Sequence, residues 1–307
     1  MPNPEEIHAN LIDIERVIAS KNATLLKIIP GFVIRYLKRI THQDAINGYI
    51  YRNRDKAGLE FVDAILKEFG AKISWRYAIT PKSPKGDLLP PLQGEGRGGV
   101  ITDHRSRIPD LSNGRYIIAS NHPLGGLDGM ALMQAVGRFR KDLVFPVNDI
   151  LMNVPGLQPL FIPINKHGKN TDNVRVIDET FASDKVILYF PAGLVSRKQK
   201  GGMIRDLEWK KTFITKARRY KRDVIPVHIS GQNSNFFYNL ANWRKWLGIR
   251  INIEMLYLVD EMVKQKDKPI CITFGESIPW STFDKTKTDS QWAEYVKGIV
   301  YSLRECP

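Results

Sequence analysis

The N-terminal part of the chain has apolar residues at helical spacing. Across residues 23–40 they alternate with cations, and Pro30-Gly31 is expected to kink or break the helix. A second helix is predicted over residues 56–69, because Gly70 follows it as a C-terminal glycine signal. We therefore expect residues 1–79 to form an N-terminal helical segment.

From residue 115 onward the pattern changes to short β-rich runs separated by helical segments. The predicted strands are 115–120, 143–147, 160–164, 185–190, 223–229 and 270–274, and the predicted helices are 128–139, 172–182 and 209–220. This alternation predicts an α/β fold with a mostly parallel central sheet flanked by helices. Active-site residues in such sheets lie at the carboxyl ends of the strands.

The segment between these two parts differs in composition. Nine of the 19 residues from 81 to 99 are Pro or Gly, so the segment cannot bury enough apolar surface to offset its ordering entropy. We predict that residues 80–100 form a disordered insertion. Residues 101–307 then form the α/β domain.

The net charge of the chain limits the classes of binding partner that are expected. Lys and Arg number 46 against 32 Asp and Glu, a net charge of +14, and residues 197–222 hold eleven cations against Asp206 and Glu208. Such a surplus attracts nucleic acid, anionic lipid or an acidic carrier protein, unless it is a solvated basic face. Because no zinc-finger spacing or aromatic-basic repeat accompanies it, nucleic acid is not expected as a partner.

Other features bear on the compartment. The chain has no 18-residue apolar run and no signal peptide, so neither a transmembrane helix nor secretion is expected. Cys271 and Cys306 show no metal-ligand spacing and predict no disulfide framework, which favours a reducing compartment. The helix over residues 23–40 suits a membrane interface as well as it suits packing on its own domain.

Residues 119–132, ASNHPLGGLDGMAL, carry the clearest chemistry. His122 follows a predicted strand, and Asp128 opens the next helix. In this arrangement the carboxylate can orient the imidazole, whose free nitrogen can take a proton from a nucleophile. Gly125 and Gly126 leave room for a substrate near the backbone. The alternative is that Asp128 only caps the helix and His122 is an ordinary loop residue.

Three further blocks lie at strand ends. Residues 161–166, FIPINK, end in Lys166, and residues 189–202, YFPAGLVSRKQKGG, contain Arg197. Arg suits bidentate contact with phosphate or carboxylate, although a basic loop is the plainer interpretation. Residues 224–231, VIPVHISG, are a strand that ends at a glycine.

In this order the four blocks resemble the glycerolipid acyltransferase superfamily, whose best known members make phosphatidic acid from lysophosphatidic acid. The family shows a strand-end N-H-x-x-x-x-D, then F-I-x-R, then F-P-E-G-T-R-S and then a V-P-V strand. The matching residues are Asn121, His122 and Asp128, then Phe161, Ile162 and Lys166, then Phe190, Pro191, Gly193, Ser196 and Arg197, and then Ile225, Pro226 and Val227. The resemblance covers about residues 115–280.

The departures indicate a branch of that superfamily. Five residues separate His122 from Asp128 instead of four, and Ala192 replaces the usual Glu. The form N-H-P-x-G-G-x-D-G with F-P-A-G-x-V-S-R is similar to the haemolysin-like N-acyltransferases of ornithine-lipid and glycine-lipid synthesis. Those enzymes make a 3-hydroxyacyl amide on an amino acid from an acyl-carrier-protein thioester.

The resemblance implies an acyltransferase that moves a fatty acyl chain from acyl carrier protein to the amine of a small amino acid in membrane lipid synthesis. The alternatives are a lysophospholipid O-acyltransferase and a non-catalytic lipid-binding protein on the same fold. His122 would be the general base, oriented by Asp128, and backbone N–H groups near Gly193 would meet the oxyanion. The expected substrate-binding residues are Asn121, Gly125, Gly126, Lys166, Gly193, Ser196 and Arg197.

No cofactor and no metal are expected. The expected partners are acyl carrier protein, an anionic membrane surface and a small amine or hydroxyl acceptor. The expected location is cytoplasmic, peripheral on the inner face of the cytoplasmic membrane.

Overall fold

A computed structural model describes residues 12–21, 23–78, 111, 113–147, 152, 154–163, 170–249 and 252–303. The helices are α1 Ile14–Lys21, α2 Ala23–Ile28, α3 Gly31–Ile40, α4 Gln43–Arg52, α5 Gly58–Glu68, α6 Gly126–Gly137, α7 Asn170–Ala182, α8 Thr212–Tyr220, α9 Asn235–Trp246, α10 Leu258–Val263 and α11 Asp289–Ser302. The strands are β1 Lys72–Tyr77, β2 Tyr116–Ser120, β3 Leu143–Val147, β4 Phe161–Pro163, β5 Val186–Tyr189, β6 Arg197–Lys198, β7 Ile204–Arg205, β8 Asp223–Ile229 and β9 Pro269–Phe274. Short 3₁₀ helices include Pro155–Leu160 and Ile253–Tyr257.

The central sheet has seven strands among the described residues, in the order β1-β9-β8-β2-β5-β3-β4. Every pair in it is parallel except β8 with β9. The predicted α/β fold with a mostly parallel sheet is therefore confirmed. β6 and β7 form a separate antiparallel pair.

Helices cover both faces of the sheet, so the central strands are apolar on both sides. Ile118 of β2 and Leu188 of β5 face a core shared with α5 and α6. Their neighbours Ile117 and Ile187 face a second core with α8 and α11. This alternation follows from the two-residue period of a strand. It leaves the strand ends as the places where polar side chains can gather.

The N-terminal part differs from its prediction in one respect. The helix break at Pro30 is present between α2 and α3, and the second predicted helix is α5. Residues 72–77, however, form β1, which pairs in parallel with β9 at the edge of the sheet. The helical prediction for residues 1–79 was therefore wrong at its C-terminal end, because pairing with a strand distant in sequence decides that conformation. The predicted insertion at 80–100 lies outside the described residues.

The sequence patterns also missed three of the described helices and one covalent bond. α9, α10 and α11 were not predicted. Cys271 of β9 is disulfide-bonded. The expectation that the cysteines form no disulfide framework is therefore wrong at Cys271, because spacing along the chain does not report spatial proximity.

Candidate active site

His122 and Asp128 meet at the carboxyl end of β2. His122 lies two residues beyond the strand, and Asp128 lies in the first turn of α6. His122 Nδ1 is 3.1 Å from one carboxylate oxygen of Asp128 and 3.2 Å from the other. Asp128 is fully buried, whereas 18% of the His122 side chain is exposed. Asp128 therefore contacts the Nδ1 edge of the imidazole, and Nε2 lies on the opposite edge.

Backbone N–H groups fix the Asp128 carboxylate. Its Oδ2 accepts hydrogen bonds from the N–H of Leu124 at 2.7 Å and of Gly125 at 3.2 Å. These donors belong to the turn that links β2 to α6, and they satisfy a buried charge that would otherwise be costly. Asp128 therefore caps its helix and orients His122 at the same time, so the two interpretations of the sequence are compatible.

An aromatic side chain fixes the plane of the imidazole. Phe190, which follows β5, stacks on His122 with ring centroids 4.1 Å apart and an interplanar angle of 19°. Phe145 of β3 contacts Phe190 edge to face, at 5.0 Å. Residues at the ends of three neighbouring strands thus position the imidazole of His122, which contacts a carboxylate and a phenyl ring.

A second buried carboxylate, Asp206, holds the backbone of His122. Its Oδ1 accepts the N–H of His122 at 3.2 Å and the hydroxyl of Ser196 at 2.6 Å, and its Oδ2 accepts the indole N–H of Trp209 at 2.9 Å. The N–H of Ser196 donates to the carbonyl of His122 at 2.7 Å. Ser196, expected to bind substrate, therefore joins the 190–206 loop to residues 121–125, the loop that carries His122. We refer to residues 121–125 as the catalytic loop.

Asn121 has a comparable structural position. Its amide donates to the carbonyl of Ile229 at 2.9 Å and accepts the N–H of Ile229 at 2.7 Å. These bonds extend the contact between β2 and β8 by one residue. Asn121 is almost fully buried, so it shapes the strand end that carries His122.

The two glycines of the turn differ. Gly125 has φ 95° and ψ −127°, and a Cβ added there would lie 3.4 Å from Leu258. Gly126 is exposed, and a Cβ added there would meet nothing within 4 Å. Gly125 is therefore needed for the turn itself, and room for a substrate beside Gly126 stays a prediction.

Comparison with known proteins now assigns the chain to a family. Residues 102–306 match the family described as acyltransferase. The chain belongs to the acyltransferase family. It is 47% identical to the lyso-glycine lipid O-acyltransferase of Bacteroides thetaiotaomicron, over 95% of this chain and 97% of that one. It is 46% identical to the protein of the same description from Phocaeicola vulgatus, over 95% of each chain.

Among solved structures, the 1-acyl-sn-glycerophosphate acyltransferase of Thermotoga maritima aligns at 15% identity with a TM-score of 0.43. It covers 88% of this chain and 96% of that one. Family membership confirms the predicted resemblance and makes the chain an acyltransferase enzyme. The alternative of a non-catalytic lipid-binding protein is set aside.

In this acyltransferase Arg197 is not placed as the sequence led us to expect. Only 3% of its side chain is exposed, and its guanidinium donates to Glu254 at 3.0 Å. Arg244 of α9 pairs with the other carboxylate oxygen of Glu254 at 2.7 Å, and Arg197 also lies over the ring of Phe237 at 5.2 Å. Burial lowers the pKa of Arg197 despite the adjacent carboxylate. Its guanidinium therefore anchors the 190–206 loop to α9 and does not face a substrate.

Two predicted binding residues remain, Gly193 and Lys166. The N–H of Gly193, where φ is 65°, donates to the carbonyl of Phe190 at 3.0 Å. The Gly193 N–H is therefore already used within its own turn. That other backbone N–H groups near Gly193 bind the oxyanion stays a prediction. Lys166 lies outside the described residues.

Lys210 was missed by the sequence analysis. It is exposed, and its Nζ lies 3.3 Å from the position that a Cβ at Gly193 would occupy. Its backbone N–H donates to the carbonyl of Pro191 at 3.1 Å. An exposed cation therefore borders the turn that follows Phe190, whereas nothing in the sequence distinguishes Lys210 from its basic neighbours.

The basic stretch 197–222 does not form one exposed basic face. Arg222 is fully buried, and its guanidinium donates to backbone carbonyls that include those of Phe181 and Lys185. Burial lowers the pKa of Arg222 to about 10. Lys216 and Arg219 both pair with Asp178. The solvated cations of the stretch include Lys200, Lys210 and Lys211.

A cavity of about 420 Å³ lies beside the catalytic loop. Its lining includes Asn121, Pro123 and Ser196, together with His228 of β8 and Tyr301 of α11. It borders the backbone that carries His122. Within the described part of the chain, no group of three His, Cys, Asp or Glu side chains is placed to hold a metal ion.

Proposed function

We propose that this acyltransferase esterifies the hydroxyl of a lyso-glycine lipid with a fatty acyl chain from an acyl-carrier-protein thioester. One observation carries the proposal. The His122–Asp128 pair lies in a chain that is 47% and 46% identical, over nearly its whole length, to two proteins described as lyso-glycine lipid O-acyltransferases.

His122 acts as the general base. With its Nδ1–H donated to Asp128, the ring is held in the tautomer whose Nε2 lone pair can accept a proton. The acceptor hydroxyl oxygen attacks the thioester carbonyl carbon while Nε2 takes its proton. The tetrahedral intermediate then collapses, the carbon–sulfur bond breaks, and the imidazolium returns the proton to the departing thiolate. Asp128 stabilises the imidazolium throughout.

The acceptor class follows from its chemistry. A lyso-glycine lipid with a 3-hydroxyacyl chain on the glycine nitrogen has a free hydroxyl to acylate and a free carboxylate to recognise. Arg197 is engaged with Glu254, so we assign recognition of the carboxylate to the exposed amine of Lys210. Ala192, which stands where the superfamily usually has Glu, separates this chain from the members that bind a glycerol phosphate and fits a different acceptor.

The donor is assigned by charge. Acyl carrier proteins are acidic, and Lys200 and Lys211 are exposed, Lys200 within residues 190–206 and Lys211 next to Lys210 in the sequence. Complementary charge of this kind speeds encounter and selects the partner. The same lysines suit an enzyme that is peripheral on the inner face of the cytoplasmic membrane. Among the described helices none is long and apolar enough to cross a bilayer.

The proposal differs from the amide-forming reaction first expected from the motif. Both reactions belong to one lipid class and use the same general base. The descriptions of the two relatives favour the hydroxyl over the amine as the acceptor. Transfer to ornithine and to a lysophospholipid are the remaining alternatives.

The experiment offers the purified protein four acceptors, namely an N-(3-hydroxyacyl)glycine, glycine, ornithine and lysophosphatidic acid. Each is tested with acyl-carrier-protein and coenzyme A thioesters, and the products are identified by mass spectrometry. We expect ester formation on the hydroxyacyl glycine, fastest with the carrier-protein donor. Amide formation on free glycine without ester formation would contradict the proposal, as would a clear preference for lysophosphatidic acid.

A further inference from the structure

α9 exposes an apolar stripe where a surface helix ordinarily exposes polar residues. The exposed fractions are 50% for Phe236, 70% for Trp243, 83% for Trp246 and 61% for Leu247, which follows the last helical residue. Phe236, Trp243 and Leu247 lie at helical positions i, i+7 and i+11, so they occupy one side of the helix. Large contiguous apolar surfaces of this kind mark interaction sites.

The opposite side of α9 fixes this orientation. Phe237, Tyr238 and Ala241 are buried in the protein. Arg244, which is 7% exposed, is held by Glu254. The helix therefore cannot turn its tryptophans inward without breaking a buried ion pair, a change that is strongly destabilising.

α3 extends the same surface. Phe32 is 65% exposed and Tyr36 is 46% exposed. The hydroxyl of Tyr36 is 2.5 Å from that of Tyr257, and the ring of Tyr257 contacts that of Phe236 edge to face at 5.1 Å. The exposed apolar residues of α3 and α9 are thus joined through Tyr257.

The charges of this surface identify its occupant. Neither α3 nor α9 contains an Asp or Glu, and Arg35, Arg39 and Lys245 are exposed on them. Tryptophan and tyrosine favour the boundary between lipid headgroups and acyl chains, and adjacent cations favour anionic headgroups. This combination fits an anionic bilayer better than an acidic protein, which would not require exposed tryptophans.

Elements that carry this surface, or lie next to it, contact the loops around His122. Phe237 of α9 lies under Arg197, and Leu258 of α10 approaches Gly125 in the His122–Asp128 turn. Only α9 itself would therefore lie between a bilayer on its outer side and the segment that carries Arg197. An enzyme whose acceptor and product are lipids needs such proximity.

We propose that Phe236, Trp243, Trp246 and Leu247, together with Phe32 and Tyr36, form the face that inserts into the interface of an anionic bilayer. The choice of a lipid partner rests on the proposed function, but the test is made without substrate. α9 supplies the deepest apolar contact, and the cations of both helices supply the salt-dependent attraction.

The test is co-sedimentation with vesicles of phosphatidylglycerol and phosphatidylcholine, compared with vesicles of phosphatidylcholine alone. The variant is W243S/W246S. The matched control is W280S, since Trp280 is also an exposed tryptophan but lies beside α8, under the amine of Lys221. We expect the double variant to lose at least ~10-fold in partition coefficient, because two large apolar side chains no longer enter the interface. W280S should bind like the wild type.

Two further measurements test whether the tryptophans enter the lipid and whether the protein self-associates. Brominated lipids should quench the tryptophan fluorescence of the wild type and of W280S, but quench that of W243S/W246S much less. Sedimentation velocity without vesicles should give the same mass for all three proteins. Wild-type binding by the double variant, or equal quenching of it, would overturn the proposal. So would a change in mass instead of binding, which would make the surface an interface between copies.

A transfer assay on detergent-dispersed acceptor separates this proposal from the proposed function. W243S/W246S should retain its rate there, because the catalytic loops are unchanged. Absence of transfer by the wild type would count against the proposed function and leave the vesicle result standing.

Discussion

The Nδ1 atom of His122 lies 3.1 Å and 3.2 Å from the two carboxylate oxygens of Asp128, a residue with no exposed side-chain surface. A buried carboxylate that already accepts two backbone N–H groups has no freedom to turn away from the imidazole. Nε2, on the opposite edge of the ring, is therefore the atom that we propose as the general base.

His122→Ala should lower the rate of transfer by ~10²–10⁴-fold, the usual contribution of general base catalysis. Asp128→Asn should lose most of the activity as well, because a neutral amide does not stabilise the imidazolium. The measurement is kcat with saturating donor and acceptor, alongside thermal unfolding of both variants. Near-normal turnover by His122→Ala would contradict the mechanism.

The two glycines of the catalytic turn should respond differently to alanine. Gly125→Ala should lower the melting temperature, because its φ of 95° and ψ of −127° are strained for a residue with a Cβ. Gly126→Ala should leave the melting temperature unchanged, since its added Cβ meets nothing within 4 Å. If a substrate approaches through that space, Gly126→Ala will raise KM. Equal melting temperatures for the two variants would show that the turn tolerates a side chain.

Asp206 should act as a positioning residue. Asp206→Asn places an NH₂ group against at least one of three donors, namely the His122 N–H, the Ser196 hydroxyl and the Trp209 indole. An unsatisfied buried donor costs about 1–3 kcal/mol in the free energy of unfolding. We expect that loss in denaturant titration, and a lower kcat with little change in KM.

The control for Asp206 is the double variant D206N/W209F. In this variant the NH₂ group of the new amide can take the side that faced the indole N–H of Trp209, because the phenyl ring that replaces the indole has no donor there. The amide oxygen can then still accept from His122 and Ser196. Partial recovery of kcat would confirm the hydrogen-bond explanation. A kcat for D206N equal to that of the wild type would show that the His122 backbone is held without Asp206.

Arg197→Ala should reduce stability and leave acceptor binding unchanged. The substitution removes the contacts of the guanidinium with Glu254 and Phe237, but Glu254 keeps its pair with Arg244, so the loss should be smaller than the ~3–5 kcal/mol of a buried charge left without a partner. Arg197→Lys retains the charge and should lose less. The measurements are the free energy of unfolding and the acceptor KM below the unfolding transition. A large rise in KM with unchanged stability would restore the role in substrate binding that the sequence suggested.

Lys210→Ala should behave in the opposite way. Its amine is exposed, so the free energy of unfolding should change by less than ~0.5 kcal/mol, as is usual at the surface. The KM for an N-(3-hydroxyacyl)glycine should rise several-fold, and the rise should be smaller for an acceptor whose carboxylate is esterified. Lys211→Ala is the matched control. Equal effects of the two substitutions on both acceptors would exclude a specific contact with the carboxylate.

The sequence alone determined the fold class and singled out His122 and Asp128, which the structure brings into contact. The β-rich runs at 143–147 and 223–229 became β3 and β8 with the predicted bounds, because a strand that is buried on both faces consists mostly of apolar residues. His122 and Asp128 are six positions apart, so a single turn brings them together. Local chemistry of this kind is readable from residue order.

Tertiary structure decided the roles of the charged residues and of α9. Arg197 is paired with Glu254, 57 positions away, and Asp206 reaches His122 across 84 positions. No spacing rule connects residues so far apart, so a buried structural cation and an exposed binding cation look alike in sequence. α9 was missed because apolar residues occupy both its buried and its exposed sides, which removes the contrast on which helical periodicity depends. Only the burial of Arg244 and Phe237 shows which side faces outward.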